Sequence, residues 1–354
     1  MSFHKKALYT DMTQNYLTPV EPMSHTRVKV RFRTGRGNVD RVTICYNGQK
    51  AIMRKDSFDD MFDYYAYHIR LTDEPLYYHF QVEAEDESCY YNRLGISKSE
   101  EARYDFILVP GFATPDWAKG AVVYQIYVDR FYNGDSSNDV VNDEYFYQGR
   151  PVKHAGHWND PVSRTDEGTF YGGDLQGIID KMDYLEGLGV EVLYLNPIFV
   201  SPSSHKYDIQ DYSHIDPHFG KIVNREECGL KDGYEQYRGI TTDRENLEAS
   251  DRLFARLVEE AHKRGMKVIL DGVFYCCGSW HRFMDKEGIY ANGDTCSIKG
   301  AYQDSNSPYR EYFQYKNPQD ANSYENWWGY EAYAKFNYEN SRKLYEYILS
   351  VAVK

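Results

Sequence analysis

Three short stretches hold residue types whose spacing could do chemistry. The first, Asn133-Gly134-Asp135-Ser136-Ser137-Asn138-Asp139, crowds oxygen-bearing side chains into one loop. Hard cations such as calcium take about six to eight oxygen ligands, and Asn and Asp at adjacent and alternating positions can wrap one. The same residues also make an Asx-rich turn with no metal, and the spacing is not that of an EF-hand. Gly172-Gly173-Asp174 could add a carboxylate and a carbonyl, or serve as the N-cap of a helix.

The second stretch is Leu195-Asn196-Pro197-Ile198-Phe199 with His205-Lys206-Tyr207-Asp208. A Tyr beside an Asp offers a stacking face and a hydrogen-bond acceptor, which suits a sugar; an exposed turn with a surface Tyr fits equally. The third is Asp271-Gly272-Val273-Phe274-Tyr275-Cys276-Cys277-Gly278. Its vicinal cysteines with His281 invite a zinc reading, but adjacent cysteines rarely point at one tetrahedral ion and no C-x-x-C partner pair exists. His214 and His218 have helix-face spacing, yet Pro217 between them argues against a helical metal site. No G-x-S-x-G elbow or phosphate-binding Walker loop occurs.

The elements that must position these residues fall into two grammars. From Thr26 to Leu108 short segments alternate with period two, as in Arg27 to Arg33 and Leu76 to Val82, and predict a β-sandwich over 24–110 behind an N-terminal arm, 1–23. Thr34-Gly35-Arg36-Gly37-Asn38 reads as a hairpin turn, since no third glycine or helix completes a dinucleotide fingerprint. Val109-Pro110-Gly111-Phe112-Ala113-Thr114-Pro115 breaks the pattern and marks a domain boundary.

Beyond it, strands and helices alternate. Val122 to Val128, Val190 to Leu195 and Val268 to Phe274 are short apolar runs of the kind buried in a parallel sheet. Leu175, Ile178, Met182, Leu185 and Leu188 repeat at helical steps before a stop at Gly189. Leu253, Phe254, Leu257, Val258 and Ala261 do so before Gly265, with Thr242 and Glu245 as a candidate capping box. A last helical stretch spans Asn340 to Val353, after a long loop or small subdomain over 275–338. Three β/α units are therefore legible within 116–354, matching the beginning of a (β/α)8 TIM barrel or a small doubly wound sheet. A barrel needs eight strands, so the expectation is an incomplete one.

The chain has 354 residues, enough for two domains. Its 41 Lys and Arg against 54 Asp and Glu give a net charge of −13, the wrong sign for phosphate neutralisation, so a nucleic-acid partner is not expected. Mean hydropathy is −0.71, no apolar run is long enough to cross a membrane, and the first residues lack a signal-peptide core, so a cytoplasmic protein without membrane association is expected. Six cysteines do not make a disulfide framework. The 35 Tyr, 17 Phe and 5 Trp exceed what one core needs and fit flat ligands or sugar rings, or a Tyr-rich surface.

Taken together, the motifs resemble the α-amylase superfamily of glycosidases (glycoside hydrolase family 13), of the neopullulanase and cyclomaltodextrinase type with an N-terminal β-sandwich. The resemblance covers Val122 to Asp139, Phe170 to Gly220, Arg244 to Gly278 and a weaker stretch at Trp327-Trp328-Gly329, in family order. It implies a calcium ion held by Asn133, Asp135, Asn138, Asp139, Gly172 and Asp174. It implies a sugar platform at Tyr207, a hydroxyl acceptor at Asp208, and a role for Asp271 in holding the active-site network. It also implies an α-glucan partner (maltodextrin, pullulan or cyclodextrin) and a homodimer through the N-terminal domain.

Two departures stand against the family pattern. Tyr275 and Cys276 replace the usual Asn-His, and losing that His removes a sugar donor, a change that costs about a hundredfold or more at comparable sites. The retaining reaction uses two carboxylates about 5 Å apart, which the resemblance places on the fourth and fifth strands, beyond Lys354. The expectation is thus the N-terminal part of an α-glucan hydrolase that is inactive by itself. The alternatives are a non-catalytic α-glucan-binding or regulatory protein, or a truncated gene product.

Overall fold

The computed structural model describes residues 3–85, 87–162, 167–225, 234–290 and 298–353. It comprises two compact units, Met1–Gly120 and Ala121–Lys354.

The first unit is a β-sandwich of two antiparallel sheets. Its strands are β1 (Leu17–Thr18), β2 (Arg27–Gly35), β3 (Arg41–Tyr46), β4 (Gln49–Ile52), β5 (Arg54–Phe58), β6 (Phe62–Arg70), β7 (Leu76–Ala84), β8 (Glu87–Asn92), β9 (Gly95–Ser97) and β10 (Phe106–Leu108). One sheet runs β1-β2-β6-β5; the other runs β4-β3-β7-β8-β9, with β10 on β7. Alternation explains the core: Val28, Val30 and Phe32 of β2 meet Tyr78, Phe80 and Val82 of β7, each fully buried aliphatic or Phe side chain contributing about 1.5–3 kcal/mol.

Two details differ from the sequence reading. Residues 34–38 are a crossover between sheets rather than a hairpin turn, because β2 pairs with β6 while β3 pairs with β7. Buried Asp63 fixes that crossover, accepting from Gly37 N at 2.8 Å and Lys55 Nζ at 2.8 Å and pairing with Arg36. Gly37 supplies the positive φ of 58° the bend requires. The N-terminal arm is part of the sandwich: Leu8 and Leu17 enter its core, and β1 pairs with β2.

In the second unit β11 (Val123–Ile126), β12 (Val192–Leu195) and β13 (Lys267–Leu270) form a parallel sheet with β12 central, Ile126 opposite Leu195 and Leu195 opposite Leu270. Each strand is shorter than its apolar run. Past Ile126 the chain enters a 3-10 turn at Val128–Arg130. On the outer strand β11, Val123 is half-exposed, as is Val122 just before it. The helices are α1 (Leu175–Asp180), α2 (Met182–Gly187), α3 (Glu235–Thr241) and α4 (Arg244–Lys263). The single helix expected over 175–188 is two segments, with Lys181 outside helical geometry between them. Gly189 and Gly265 end the helices at positive φ, as their positions predict.

The Thr242–Glu245 capping box does not form. Asp243 caps α4 by accepting from Asn246 N, and Thr242 instead ends α3. After β13 come β14 (Cys276–Gly278), β15 (Asn326–Trp327) and β16 (Tyr330–Lys335), an antiparallel sheet of order β14-β16-β15 whose segment, 275–338, shares one core with α5 (Arg342–Ala352) and with Ile209, Tyr212 and Val273. Among the described residues no helix is long and apolar enough to cross a membrane.

Candidate functional site

The parallel sheet sets the site, because its strands end together. Asn196 N donates to Ile126 O at 3.0 Å and Asp271 N to Leu195 O at 3.0 Å, so Tyr127, Asn196 and Asp271 leave the carboxyl edge side by side. In parallel α/β sheets that edge is where loops build binding sites. The loop after β12 returns across it and places Tyr207 so that its hydroxyl donates to Asp271 Oδ2 at 2.9 Å. Burial, then this bond to a carboxylate, pushes the Tyr207 hydroxyl pKa well up, so it stays a donor.

Asp208 does not stand beside them as an open acceptor. It is 2% exposed, and its Oδ1 accepts both Ser201 Oγ, at 2.7 Å, and Ser203 Oγ. Lys206 between these residues is fully buried at positive φ, its Nζ donating to Ser201 O at 2.6 Å and Asp216 Oδ2 at 2.7 Å. This ion pair fixes the backbone that aims Tyr207. Burial alone would raise the Asp216 carboxyl, but the Lys206 charge and His218 hold it far below the usual range.

Sequence reasoning missed His205 and Tyr333 as site residues. His205 Nδ1 accepts from Tyr207 N at 3.0 Å, and its ring stacks on Tyr333, whose hydroxyl lies 3.2 Å from Nε2. Tyr333 packs on Trp327, Trp327 on Tyr275, and Trp328 stacks on Trp327 with ring centroids 4.2 Å apart. Trp328 is 80% exposed. Part of the aromatic surplus in the composition is therefore a wall of ring contacts that runs from buried Tyr333 to exposed Trp328.

Cys276 and Cys277 are buried free thiols on β14. Burial pushes the Cys276 thiol up to about 12. His281, their suggested zinc partner, is buried and held neutral, pushed down to about 3, and its Nδ1 accepts from Phe283 N. None of the three reaches the surface, whereas Tyr275 is 40% exposed. Asp129 and Asp216 are structural: Asp129 is buried, takes Tyr171 N and pairs with Arg130.

The oxygen-rich loop converges with the Gly-Gly-Asp turn. Asn133 Nδ2 donates to Asp139 Oδ1 at 2.8 Å. Asp174 caps α1 through Gly177 N and also accepts Gly134 N, Asp135 N and Asn138 Nδ2. Gly172 has φ 77°, and a Cβ there would lie 2.5 Å from both Asn133 Nδ2 and Asp139 Oδ1. All six residues are thus brought together. Asn138 Oδ1 is buried with no hydrogen-bond partner, and burial followed by the nearby Asp174 and Asp129 charges raises the Asp139 carboxyl, against the pull of His154 and Asn133. Buried oxygens lacking a donor are what a hard cation relieves. Asp135 is committed otherwise, to Ser137 and the Lys221 ammonium.

Both units resemble known proteins. The α-amylase catalytic-domain model matches residues 125–228 and 237–354, and the α-amylase N-terminal Ig-like domain model matches residues 1–109. An amylopullulanase of Thermoanaerobacter thermohydrosulfuricus is 39% identical over 238 residues, covering 62% of this chain and 14% of that protein. Neopullulanase 2 of Thermoactinomyces vulgaris is 34% identical over 272 residues, covering 73% of this chain and 39% of that protein. Among solved structures, the type III pullulan hydrolase from Thermococcus kodakarensis superposes with a TM-score of 0.57 at 25% identity, over 98% of this chain and 53% of that one. The chain spans well under half the length of these two curated relatives.

Proposed function

Because this chain belongs to the α-amylase family, with that family's N-terminal domain and part of its catalytic domain, we propose that it carries the glucan-binding half of an α-glucan hydrolase site. The observation that supports this most directly is the Tyr207–Asp271 pair at the carboxyl edge of the parallel sheet, flanked by the aromatic wall from Tyr333 to Trp328. Sugar rings present apolar faces to aromatic rings and hydroxyls to carboxylates, and both partners are here side by side. Tyr207 is the platform, Asp271 the acceptor that orients it, and Asp208 a rigid anchor behind the loop that meets a sugar hydroxyl only through its remaining oxygen.

In this reading the three parallel strands are the first three units of a (β/α)8 barrel, and the retaining carboxylate pair belongs to later strands. The substrate class is maltodextrin, pullulan or cyclodextrin, and the chain by itself binds it without cleavage. Calcium, held by Asn133, Asn138, Asp139 and the Gly172–Asp174 turn, supplies cross-linking of the loop to the start of α1 and no chemistry at the sugar. Four buried free thiols among the described residues fit a reducing, intracellular setting.

The test is calorimetric titration of the purified chain with maltoheptaose, together with product analysis after long incubation. Binding without products is expected. Turnover would overturn the claim of inactivity, and absence of binding the claim of a glucan site. A second reading, a non-catalytic glucan binder or regulator, is favoured by Cys276, whose thiol is buried where the family's His would reach the sugar. A supplied second half of the barrel that restores turnover would decide for the first reading.

A further inference from the structure

A cleft of about 430 Å³ lies in the second unit where two hairpins and the loop after β14 meet, and neither Tyr207 nor Asp271 lines it. Ligand sites of proteins span about 300–1,000 Å³, so the cleft has room for one. The first hairpin pairs Tyr147 with Arg150 and turns on Gln148 and Gly149; the second pairs Trp327 with Tyr330 and turns on Trp328 and Gly329. Both turns hold two successive residues at positive φ, 50° and 75° in the first, 53° and 87° in the second. A two-residue turn of this kind ordinarily begins with Asn, Asp or Gly, because larger side chains crowd the backbone there. Gln148 and Trp328 take that crowded position on the two hairpins that line one cleft. Backbone outliers that folding does not require collect at ligand sites.

The lining says what the ligand is. Tyr147 and Trp280 are 5% and 3% exposed and belong to a buried core cluster, so the rings on that side are fixed. Tyr330, 56% exposed, supplies an accessible ring. The charged and amide side chains are Gln148, Lys286, Glu287 and Glu331. Gln148 Nε2 is held by Tyr147 Oη and Glu167 Oε2, each at 3.1 Å, and Lys286 Nζ is paired with Glu331 Oε2 at 2.7 Å. With the one ammonium paired and a second carboxylate in the lining, an anion is repelled, and the polar groups are wasted on a purely apolar ligand. A neutral molecule with apolar faces for the rings and hydroxyls that donate to carboxylates satisfies both, and a sugar ring is such a molecule.

We propose that this cleft is a second glucan-binding site, in which Tyr330 stacks on a sugar ring and Glu287 accepts from its hydroxyls. The choice of an α-glucan among sugars rests on the function proposed above; the place of the site and the neutral, hydroxyl-rich class of its ligand rest on the cleft alone.

The test is amide hydrogen exchange of the full chain, read by peptide mass, with and without maltoheptaose. The sugar should slow exchange at 147–149 and 329–332, and the slowing should persist in Tyr207→Ala. Tyr330→Ala should erase it while leaving the calorimetric binding that depends on Tyr207. Glu287→Ala alters one partly exposed side chain and should weaken the cleft's affinity about tenfold or more, the loss of a hydrogen bond to a charged group. No slowing at the cleft overturns the proposal, as does slowing unchanged in both variants; if Tyr330→Ala fails to fold, Glu287→Ala decides alone. Maltoheptaose binding that depends on Tyr207 with no protection at the cleft would overturn this site and leave the Tyr207 platform standing. Cleft protection with calorimetric binding indifferent to Tyr207→Ala would do the reverse.

Discussion

The Tyr207 hydroxyl donates to Asp271 Oδ2 at 2.9 Å, tying the loop after the second parallel strand to the end of the third. The bond holds the ring plane, and if Tyr207 is the sugar platform proposed above, preorganisation of this kind lowers the ordering cost of binding. Tyr207→Phe keeps the face and loses the bond. Its maltoheptaose affinity should fall by about two- to tenfold, the equivalent of ~0.5–1.5 kcal/mol for one hydrogen bond. Tyr207→Ala should lose more, and calorimetric affinity equal to the parent's in Tyr207→Ala would remove Tyr207 from the site.

Calcium should stabilise the second unit, because an ion bound by the folded state alone stabilises it by mass action, about 2.7 kcal/mol at a hundredfold excess over Kd. The melting temperature should rise by roughly 5–10 °C. Asp139→Asn and Gly172→Ala should abolish the shift, the second because its Cβ would strike Asn133 and Asp139. An unchanged melting curve for the parent chain would refute the cation.

Removing the buried lysine should be costly for a reason unrelated to ligand binding. Lys206→Met leaves Asp216 buried, with only His218 and backbone N–H groups for company. Stranding one member of such a pair costs about 3–5 kcal/mol. Urea unfolding should show that loss, and Lys206→Met with Asp216→Asn should recover part of it. A loss below about 1 kcal/mol would contradict a buried ion pair.

Stability should fall on the alkaline side through His218. Burial pushes this imidazole down, yet the Glu144 charge at 2.8 Å and the bonds to Asp216 and Glu144 hold it above its ordinary value. A raised folded-state pKa contributes stability that is full below about 6.5 and is lost as pH rises through the folded value. Burial raises Glu144 and Asp216 too, but their cationic partners depress both, so their contribution is present above about 4.5 and is lost on acidification. Urea midpoints should therefore decline from pH 6 to pH 9, and His218→Asn should flatten that limb. A midpoint that rose with pH in the parent would reverse the assignment.

How much was legible can be seen residue by residue. The alternation in β2 and β7 put Val30, Phe32, Phe80 and Val82 inside, and the apolar runs Val122 to Val128, Val190 to Leu195 and Val268 to Phe274 each cover most or all of one parallel strand, while the ends at Tyr127 and Asp271 were set by the fold. Gly189 and Gly265 stopped the helices where their types require. These signals are local: side-chain period and backbone freedom belong to one element and need no partner to be read.

What the sequence by itself determined was therefore the order of the local elements and the division into two units. Tertiary structure alone decided that Asp208 turns inward to Ser201 and Ser203, that residues 34–38 switch sheets, that Asp243 and not Thr242 caps α4, and that His79 is buried on a face where alternation predicts water. It also brought Tyr333 to His205 across 128 residues and Asp271 to Tyr207 across 64. The reason is physical: a loop side chain takes its direction from whichever distant groups satisfy its polar atoms, and a short-range pattern contains no record of them.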